Sequence, residues 1–294
     1  MKERLDLLRE ALPYIQRFKG KIFVVKLSGK VIEDYEPLCS IAEEITLCQQ
    51  VGIKIVVVHG GGKQLNDLAE KLGIVQKVIN GRRVTDSDTL EVAKMVFAGQ
   101  INTDILSALR RAGAETVGLS GLDGNIIHAR RREIQKVLNH ETGYEEEIDY
   151  GHVGDIVEVN VKLLSLLLDN GYVPVVSSLG ADELGNIYNI NADTIASEIA
   201  AHLQAEKLVL LSDVDGIYLD KKNPESRLSK LSIKEIDRLI EDRIVSAGMI
   251  PKLSSIIHLI QRGVKSAHII NGNKRNALLT EVFTDEGGGT MITA

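Results

Sequence analysis

Short apolar runs alternate along the chain with longer stretches of helical periodicity. An uninterrupted apolar run is typical of a strand buried on both faces, and alternation with helices predicts a mostly parallel sheet covered on both sides. The predicted strands are Ile22–Leu27, Ile55–His59, Thr116–Leu119, Val173–Val176, Leu208–Ser212 and His268–Ile270. We therefore expect an α/β fold.

Two segments depart from this alternation. The first is a helix predicted from Lys2 to about Phe18, ahead of the first strand. Its apolar stripe consists of Leu5, Leu8, Leu12 and Ile15. Either a neighbouring subunit or its own domain covers that stripe. The second runs from Asn125 to Val159, where charged, partly alternating positions around a turn at Gly143–Tyr144 predict an antiparallel hairpin from the sheet edge.

Composition narrows the classes of function. The 294 residues, 44% of them hydrophobic, suffice for a large core, and a net charge of -6 argues against general nucleic-acid binding. Cys39 and Cys48 fall in one predicted helix, too far apart for a disulfide, so we expect reduced thiols. Because no apolar run approaches the ~20 residues of a membrane span, a cytoplasmic protein is expected.

The most informative segment, Ile55–Gly62, is a buried strand that runs directly into three glycines. Ligands of open α/β sheets bind beyond the carboxyl ends of the strands, where glycines expose N–H groups to an anion. A helix predicted from Lys63 to Lys71 adds its partial positive charge. Gln64 rules out a P-loop and Leu65 a dinucleotide fingerprint. An ordinary tight turn is the alternative.

Charged and amide side chains follow other predicted elements. Lys26 ends the first strand and Lys252 lies just ahead of a helix; converging, they would stabilise a phosphoryl transition state. The segment Asn189–Asp193 precedes another helix, and its aspartate is either an N-cap or part of a polar pocket. Arg83 suits a carboxylate, and Ser212–Ile217 offers acceptors for a nucleotide.

Five segments, in this order, resemble the amino-acid kinase family and most closely the acetylglutamate kinases within it. They are Val58–Gly62, Asn80–Asp86, Tyr188–Asp193, Leu211–Gly216 and Gly248–Lys252. The resemblance implies a three-layer αβα sandwich around a mainly parallel sheet. It also implies an oligomerisation helix (1–20), an N-terminal lobe that binds acetylglutamate (21–180) and a C-terminal lobe that binds ATP and arginine (181–294).

The implied reaction transfers the γ-phosphoryl group of MgATP to the side-chain carboxylate of N-acetyl-L-glutamate in arginine biosynthesis. By resemblance, Lys26 and Lys252 are the catalytic lysines and Asp193 holds them in place. The substrate-binding positions are Gly61, Gly62, Arg83 and Asn189. The ATP-binding positions are Ser212, Asp213, Val214, Asp215, Gly216, Ile217, Tyr218, Ile244, Val245 and Ser246. Mg²⁺ is expected to bind through the nucleotide phosphates, without a protein ligand.

The N-terminal helix and the segment Gly287–Ile292 resemble the arginine-inhibited branch of the family. This implies feedback inhibition by arginine and a homo-oligomer, either a hexamer built as a trimer of dimers or a dimer. The implied effector positions are Tyr14, Lys207, His268 and Glu281. A glutamate is the natural partner of a guanidinium group.

Two features of the sequence leave alternatives to this function open. Ser28 replaces the first of two glycines usual in the family, and it either donates a hydrogen bond or weakens the positioning of ATP. The segment Leu119–Gly124 resembles the carrier-protein-linked aminoadipate or glutamate kinases of lysine biosynthesis. A catalytically weak arginine-sensing kinase-like protein is the third possibility, and retention of both lysines and Asp193 argues against it.

Overall fold

The alternation predicted from the sequence is present in the computed structural model, which describes residues 2–79, 82–138, 144–220, 222–242, 244–245, 249–284 and 287–294. The α-helices are α1 (Lys2–Phe18), α2 (Tyr35–Gln50), α3 (Gly62–Lys71), α4 (Ser87–Lys94), α5 (Asn102–Ala112), α6 (Lys162–Asp169), α7 (Ala192–His202), α8 (Ile233–Glu241), α9 (Ile250–Gln261) and α10 (Ala277–Phe283). A π-helix, Met95–Ile101, joins α4 to α5, and 3₁₀ turns span Asp123–Asn125 and Pro224–Ser226.

The strands of the main sheet are β1 (Ile22–Leu27), β2 (Lys54–His59), β5 (Thr116–Ser120), β10 (Val173–Ser177), β13 (Lys207–Ser212), β16 (Lys230–Ser232), β17 (Ser266–Asn271) and β18 (Thr290–Thr293). The remaining strands are β3 (Lys77–Ile79), β4 (Arg82–Val84), β6 (Ile127–Arg131), β7 (Gln135–Leu138), β8 (Glu145–Ile148), β9 (Gly154–Val159), β11 (Leu179–Ala181), β12 (Ile187–Asn189), β14 (Ile217–Tyr218) and β15 (Arg227–Leu228).

The main sheet has the order β16-β18-β17-β13-β1-β2-β10-β5. The six predicted strands are confirmed and form six adjacent parallel strands, while β18 pairs antiparallel with β17 and carries β16. Alternate residues of β1 face opposite layers. Val25 and Leu27 pack in the cluster that includes α2, α5 and α10, and Val24 packs in the cluster that includes α7 and α9. The predicted three-layer sandwich is therefore confirmed.

The segment from Asn125 to Val159 leaves the edge strand β5 and is antiparallel, as predicted. It contains two strand pairs, β6 with β9 and β7 with β8, and the predicted turn residue Gly143 lies outside the described residues. The sequence did not predict that β11 and β12 extend β6 and β9 into a second, four-stranded sheet. This sheet matters for function because β12 ends on Asn189.

The helix α1 packs on its own domain at its C-terminal end. Phe18 is buried, with its ring centroid 5.2 Å from that of Phe23 in an edge-to-face arrangement, and Tyr14 packs against the same cluster. Leu12 of the predicted stripe is 49% exposed, and the side chains of Leu5 and Leu8 lie outside those described. No helix in the described ranges is long and apolar enough to cross a membrane.

Candidate active site

The candidate site lies at the carboxyl ends of the parallel strands, where the loops after β1, β2 and β13 meet the start of α7. Lys26 is paired in register with Val58 of β2 and Leu210 of β13, so it stands at the centre of the sheet. It is 8% exposed although it is cationic. A buried ammonium group needs a negative partner.

That partner is Asp193, which bridges both predicted lysines. Its Oδ1 lies 2.7 Å from Lys26 Nζ, and its Oδ2 accepts a hydrogen bond of 2.8 Å from Lys252 Nζ. The alternative that Asp193 caps α7 is wrong, because Asn191 is the N-cap and accepts from the backbone N–H of Asp193 at 2.8 Å. Asn191 therefore leaves the Asp193 carboxylate available to the two lysines.

The electrostatics of this bridge favour an incoming anion. Burial opposes the charged form of Asp193, but the two neighbouring ammonium groups outweigh it and hold the pKa of this carboxyl below its usual range. Burial and, to a smaller extent, Lys252 lower the pKa of Lys26, against the pull of Asp193. Two cations share one carboxylate, so the centre carries an excess positive charge in partly desolvated surroundings.

The glycine triple packs closely on its neighbours, and a Cβ on Gly60 would lie 3.3 Å from the Cβ of Ala192, the residue before Asp193. A Cβ on Gly61 would lie 2.1 Å from Ile101 Cδ1, and a Cβ on Gly29 would lie 3.4 Å from the Cα of Gly61. Gln64 ties the two glycine loops together, because its Nε2 donates to the carbonyl of Gly29 at 2.7 Å. The sequence identified Gln64 only as a departure from a P-loop, so its contribution was missed.

Arg83 and Asn189, the two side chains predicted to bind a carboxylate, lie at one segment of the chain. Arg83 belongs to β4, and Asn189 contacts Thr85, the residue that follows β4. Arg83 donates to the carbonyl of Gly62 at 3.0 Å and to Asn66 Oδ1. Asn189 Nδ2 donates to Thr85 Oγ1 at 3.2 Å. Burial lowers the pKa of Arg83, as expected for a cation partly removed from water. Arg83 is therefore anchored beside the glycine triple.

The predicted nucleotide loop follows β13 and is braced by its own aspartates. Asp213 pairs with Lys30 at 2.6 Å, and Asp215 Oδ1 lies 2.6 Å from Lys274 Nζ. Gly216 has φ of +132°, and an added Cβ would meet Thr290 Oγ1 at 2.4 Å. Of the other predicted positions, Ser212, Val214, Ile217 and Tyr218 belong to this loop or its edges, and Ile244 and Val245 follow α8. Ser246 lies outside the described residues.

Three of the predicted effector residues lie together between β13, β17 and α10, with His268 and Glu281 buried and Lys207 half-buried. His268 Nδ1 lies 2.5 Å from Glu281 Oε1, and Glu281 Oε2 accepts from the N–H of Gly288 at 2.7 Å and of Gly289 at 3.1 Å. Lys207 Nζ lies 5.0 Å from the ring centroid of Phe18, which connects the cluster to α1.

The start of α10 is fixed by a residue that the sequence analysis did not single out. Glu44 of α2 is buried and accepts from the backbone N–H groups of Asn276 at 3.0 Å and Leu278 at 2.8 Å. Burial raises its pKa despite these hydrogen bonds. The signal was present, since Glu44 shares a helical face with Ile41, Ile45 and Cys48, all buried.

Comparison with known proteins identifies the family. The model of the amino acid kinase family matches residues 21–271. The chain belongs to this family. Over 293 residues it is 50% identical to a protein of Methanocaldococcus jannaschii named acetylglutamate kinase, covering 100% of this chain and 97% of the relative. A relative of the same name from Methanoregula boonei is 47% identical, with 100% and 99% covered.

Similarity to solved structures extends to the three-dimensional fold. The N-acetylglutamate synthase of Neisseria gonorrhoeae, complexed with coenzyme A and N-acetyl-glutamate, matches at TM-score 0.83 and 30% identity over 99% of this chain. The same synthase complexed with coenzyme A and L-arginine matches at TM-score 0.81, 29% identity and 98% of this chain. This chain spans only 63% and 65% of those two synthase chains.

Proposed function

We propose that the protein transfers the γ-phosphoryl group of MgATP to the side-chain carboxylate of N-acetyl-L-glutamate, giving N-acetylglutamyl 5-phosphate in arginine biosynthesis. The observation that carries this proposal is the pair of lysine ammonium groups held by one half-buried carboxylate near the glycine triple. Full-length similarity to proteins named acetylglutamate kinase supports the choice of acceptor.

In the proposed reaction, the chain supplies position and charge. The acceptor carboxylate is already ionised at neutral pH, so no general base is required. Lys26 and Lys252 stabilise the charge on the transferring group, and Asp193 fixes both ammonium groups. The N–H groups of Gly61 and Gly62 face the acceptor and the group in flight. Arg83 and Asn189 hold the α-carboxylate and neighbouring groups of acetylglutamate.

The nucleotide is assigned to the C-terminal lobe (181–294) and the acceptor to the N-terminal lobe (21–180). The loops at Ser212–Tyr218 and Ile244–Ser246 would hold ATP. Both oxygens of Asp193 already face ammonium groups, so this carboxylate does not suit a metal ligand. Mg²⁺ would bind through the phosphates and water, and it would neutralise part of the phosphate charge.

We also propose that arginine inhibits the enzyme by binding where α1 meets the cluster of Lys207, His268 and Glu281, with Tyr14 on the helix side. The structure of the gonococcal synthase with L-arginine supports this choice of effector, since that chain shares the fold. The exposed Leu12 of α1 supports a role for the N-terminal segment 1–20 in joining subunits into a dimer or hexamer.

A hydroxamate-trapping assay with N-acetylglutamate and ATP, run with and without millimolar arginine, tests the proposal. We expect acyl-phosphate formation that arginine suppresses. A carrier-linked kinase would ignore free N-acetylglutamate, and a weak sensor would bind arginine without turnover. Full activity in arginine from a plain dimer would remove the regulatory part and leave the catalytic part intact.

A further inference from the structure

The imidazole of His59 is fully buried at the end of β2, directly before the glycine triple. Its two ring nitrogens have separate partners. Nδ1 lies 3.1 Å from the carbonyl oxygen of Gly60, and Nε2 lies 3.2 Å from Nδ2 of Asn102. A buried ring of this kind has a defined tautomer, because each nitrogen must match its partner.

The surroundings of Asn102 decide that tautomer. Its Nδ2 also donates to the carbonyl of Val175 at 3.0 Å and lies 3.4 Å from the carbonyl oxygen of Leu119, and these two acceptors fix the amide nitrogen on this side. Gly118 makes room for the amide oxygen, since an added Cβ would lie 2.2 Å from Asn102 Oδ1. His59 Nε2 is therefore the acceptor, and the ring proton is on Nδ1, from which it is donated to Gly60. Burial lowers the pKa of His59 to about 4, which keeps the ring neutral at pH 7.

The hydrogen bond to Gly60 orients the next N–H group. The carbonyl of Gly60 and the N–H of Gly61 belong to one planar trans peptide unit, so fixing the oxygen turns the N–H to the opposite side. Ile101 and Phe97 of the π-helix pack on the Cα of Gly61, and Asn102 follows directly. One chain segment thus packs on Gly61 directly and acts on the Gly60 carbonyl through the hydrogen bond from Asn102 to His59. Such π-helical turns are frequent at functional sites.

We infer that Asn102 and His59 are positioning residues for phosphoryl transfer, because together they orient the Gly60–Gly61 peptide so that its N–H faces the reacting groups. The inference rests on the proposed function. Neither side chain contacts substrate in this scheme. Their effect reaches the reaction through Gly61 alone.

Two substitutions of His59 separate positioning from mere packing. In His59→Asn, the amide nitrogen takes the place of Nδ1 and can still donate to Gly60. In His59→Gln, the amide takes the place of Nε2, so it keeps the contact with Asn102 and loses Gly60. We expect kcat to fall about 3-fold in His59→Asn and about 30- to 100-fold in His59→Gln, with little change in the KM for N-acetylglutamate.

Thermal unfolding of both variants is the matched control. The inference would be overturned if both variants lost kcat equally and lost Tm equally. It would also be overturned if His59→Gln kept the kcat of the wild type. Ring ¹⁵N NMR supplies a readout independent of activity. We expect the Nδ1-protonated tautomer in the wild type and a mixed ring in Asn102→Ala. An Nε2-protonated wild-type ring contradicts the inference, whereas a wild type inactive on N-acetylglutamate contradicts the proposed function instead.

Discussion

The carboxylates of Asp193, which is 17% exposed, and of Glu281, which is buried, differ in how far the fold satisfies their hydrogen-bonding capacity and charge. Asp193 is shared by two ammonium groups, so the centre at the strand ends keeps an excess positive charge. Glu281 accepts from His268 and from the N–H groups of two glycines, so both of its oxygens have partners within the fold. The first region needs an anion to complete it. In the second, the guanidinium group of the proposed effector would have to compete with partners already in place.

Removing one of the two ammonium groups that contact Asp193 is expected to have the largest effect on activity. We expect Lys252→Ala to lower kcat by at least about 100-fold, because one of the two charges that stabilise the transition state is lost. Steady-state kinetics with saturating ATP and N-acetylglutamate measure the effect. Lys265→Ala, which removes an exposed lysine paired with Glu206, is the control and should retain turnover. Near-normal turnover in Lys252→Ala would exclude that lysine from the mechanism.

Acid should destabilise the region around the glycine triple through His59. The folded pKa of His59, about 4, lies below the ordinary histidine value of 6.5, so the unfolded chain binds the proton first as the pH falls. The contribution of His59 to the free energy of unfolding is therefore fully present above pH 6.5 and is lost as the pH falls. The loss is about 2 kcal/mol at pH 5 and reaches about 3 kcal/mol below pH 4.

Urea unfolding at pH 7 and pH 5, followed by circular dichroism, measures this loss. His59→Asn has no imidazole to titrate, so its free energy of unfolding should change less between the two pH values. His268 is a second buried imidazole with which His59 can be compared. Burial lowers the pKa of His268 too, but its partner Glu281 opposes that shift. Identical pH dependence in the wild type and His59→Asn would show that His59 does not contribute.

A substitution of Arg83 tests whether the side chain beside the glycine triple binds the acceptor. We expect Arg83→Ala to raise the KM for N-acetylglutamate about 10- to 100-fold with a smaller change in kcat, because a charged hydrogen bond to the α-carboxylate is equally present in the ground and transition states. Arg82→Ala, its exposed neighbour bonded to Gln135, is the matched control. A large fall in kcat with an unchanged KM would instead place Arg83 at the transferring phosphoryl group.

The six parallel strands of the main sheet were predictable from the sequence, chiefly because the central ones are buried on both faces and read as unbroken apolar runs. Lys26 was identifiable for the same reason, as a charge at the end of such a run. The strand β18 was not predicted, since it is short and follows three glycines. Asn102 was missed because its acceptors, which are Val175, Leu119 and His59, are distant in sequence and meet it only in the fold. The pairing of Asp193 with both lysines came from the family resemblance rather than from spacing.

A substitution of Glu281 tests whether the cluster of Lys207, His268 and Glu281 binds arginine. We expect Glu281→Gln to weaken inhibition by arginine at least about 10-fold, because the neutral amide loses the charge-assisted pairing with a guanidinium group. The measurement is the arginine concentration that halves activity. Glu91→Gln, on the exposed surface beside Lys94, is the control. If arginine inhibits Glu281→Gln and the wild type equally, the effector site lies elsewhere.

Ser28 is a third kind of buried polar group, with neither excess charge nor a partner. Its Oγ is buried, and no hydrogen-bond partner is found for it in the described part of the chain. Since an unsatisfied hydroxyl is destabilising, we expect Ser28→Ala to raise the free energy of unfolding by about 1 kcal/mol. Ser28→Gly should gain less, because glycine adds about 0.4 to 1 kcal/mol of unfolded-state entropy. A KM for ATP that rises about 10-fold in both variants would instead make this hydroxyl a donor to the nucleotide, whose loss removes a hydrogen bond of ordinary strength.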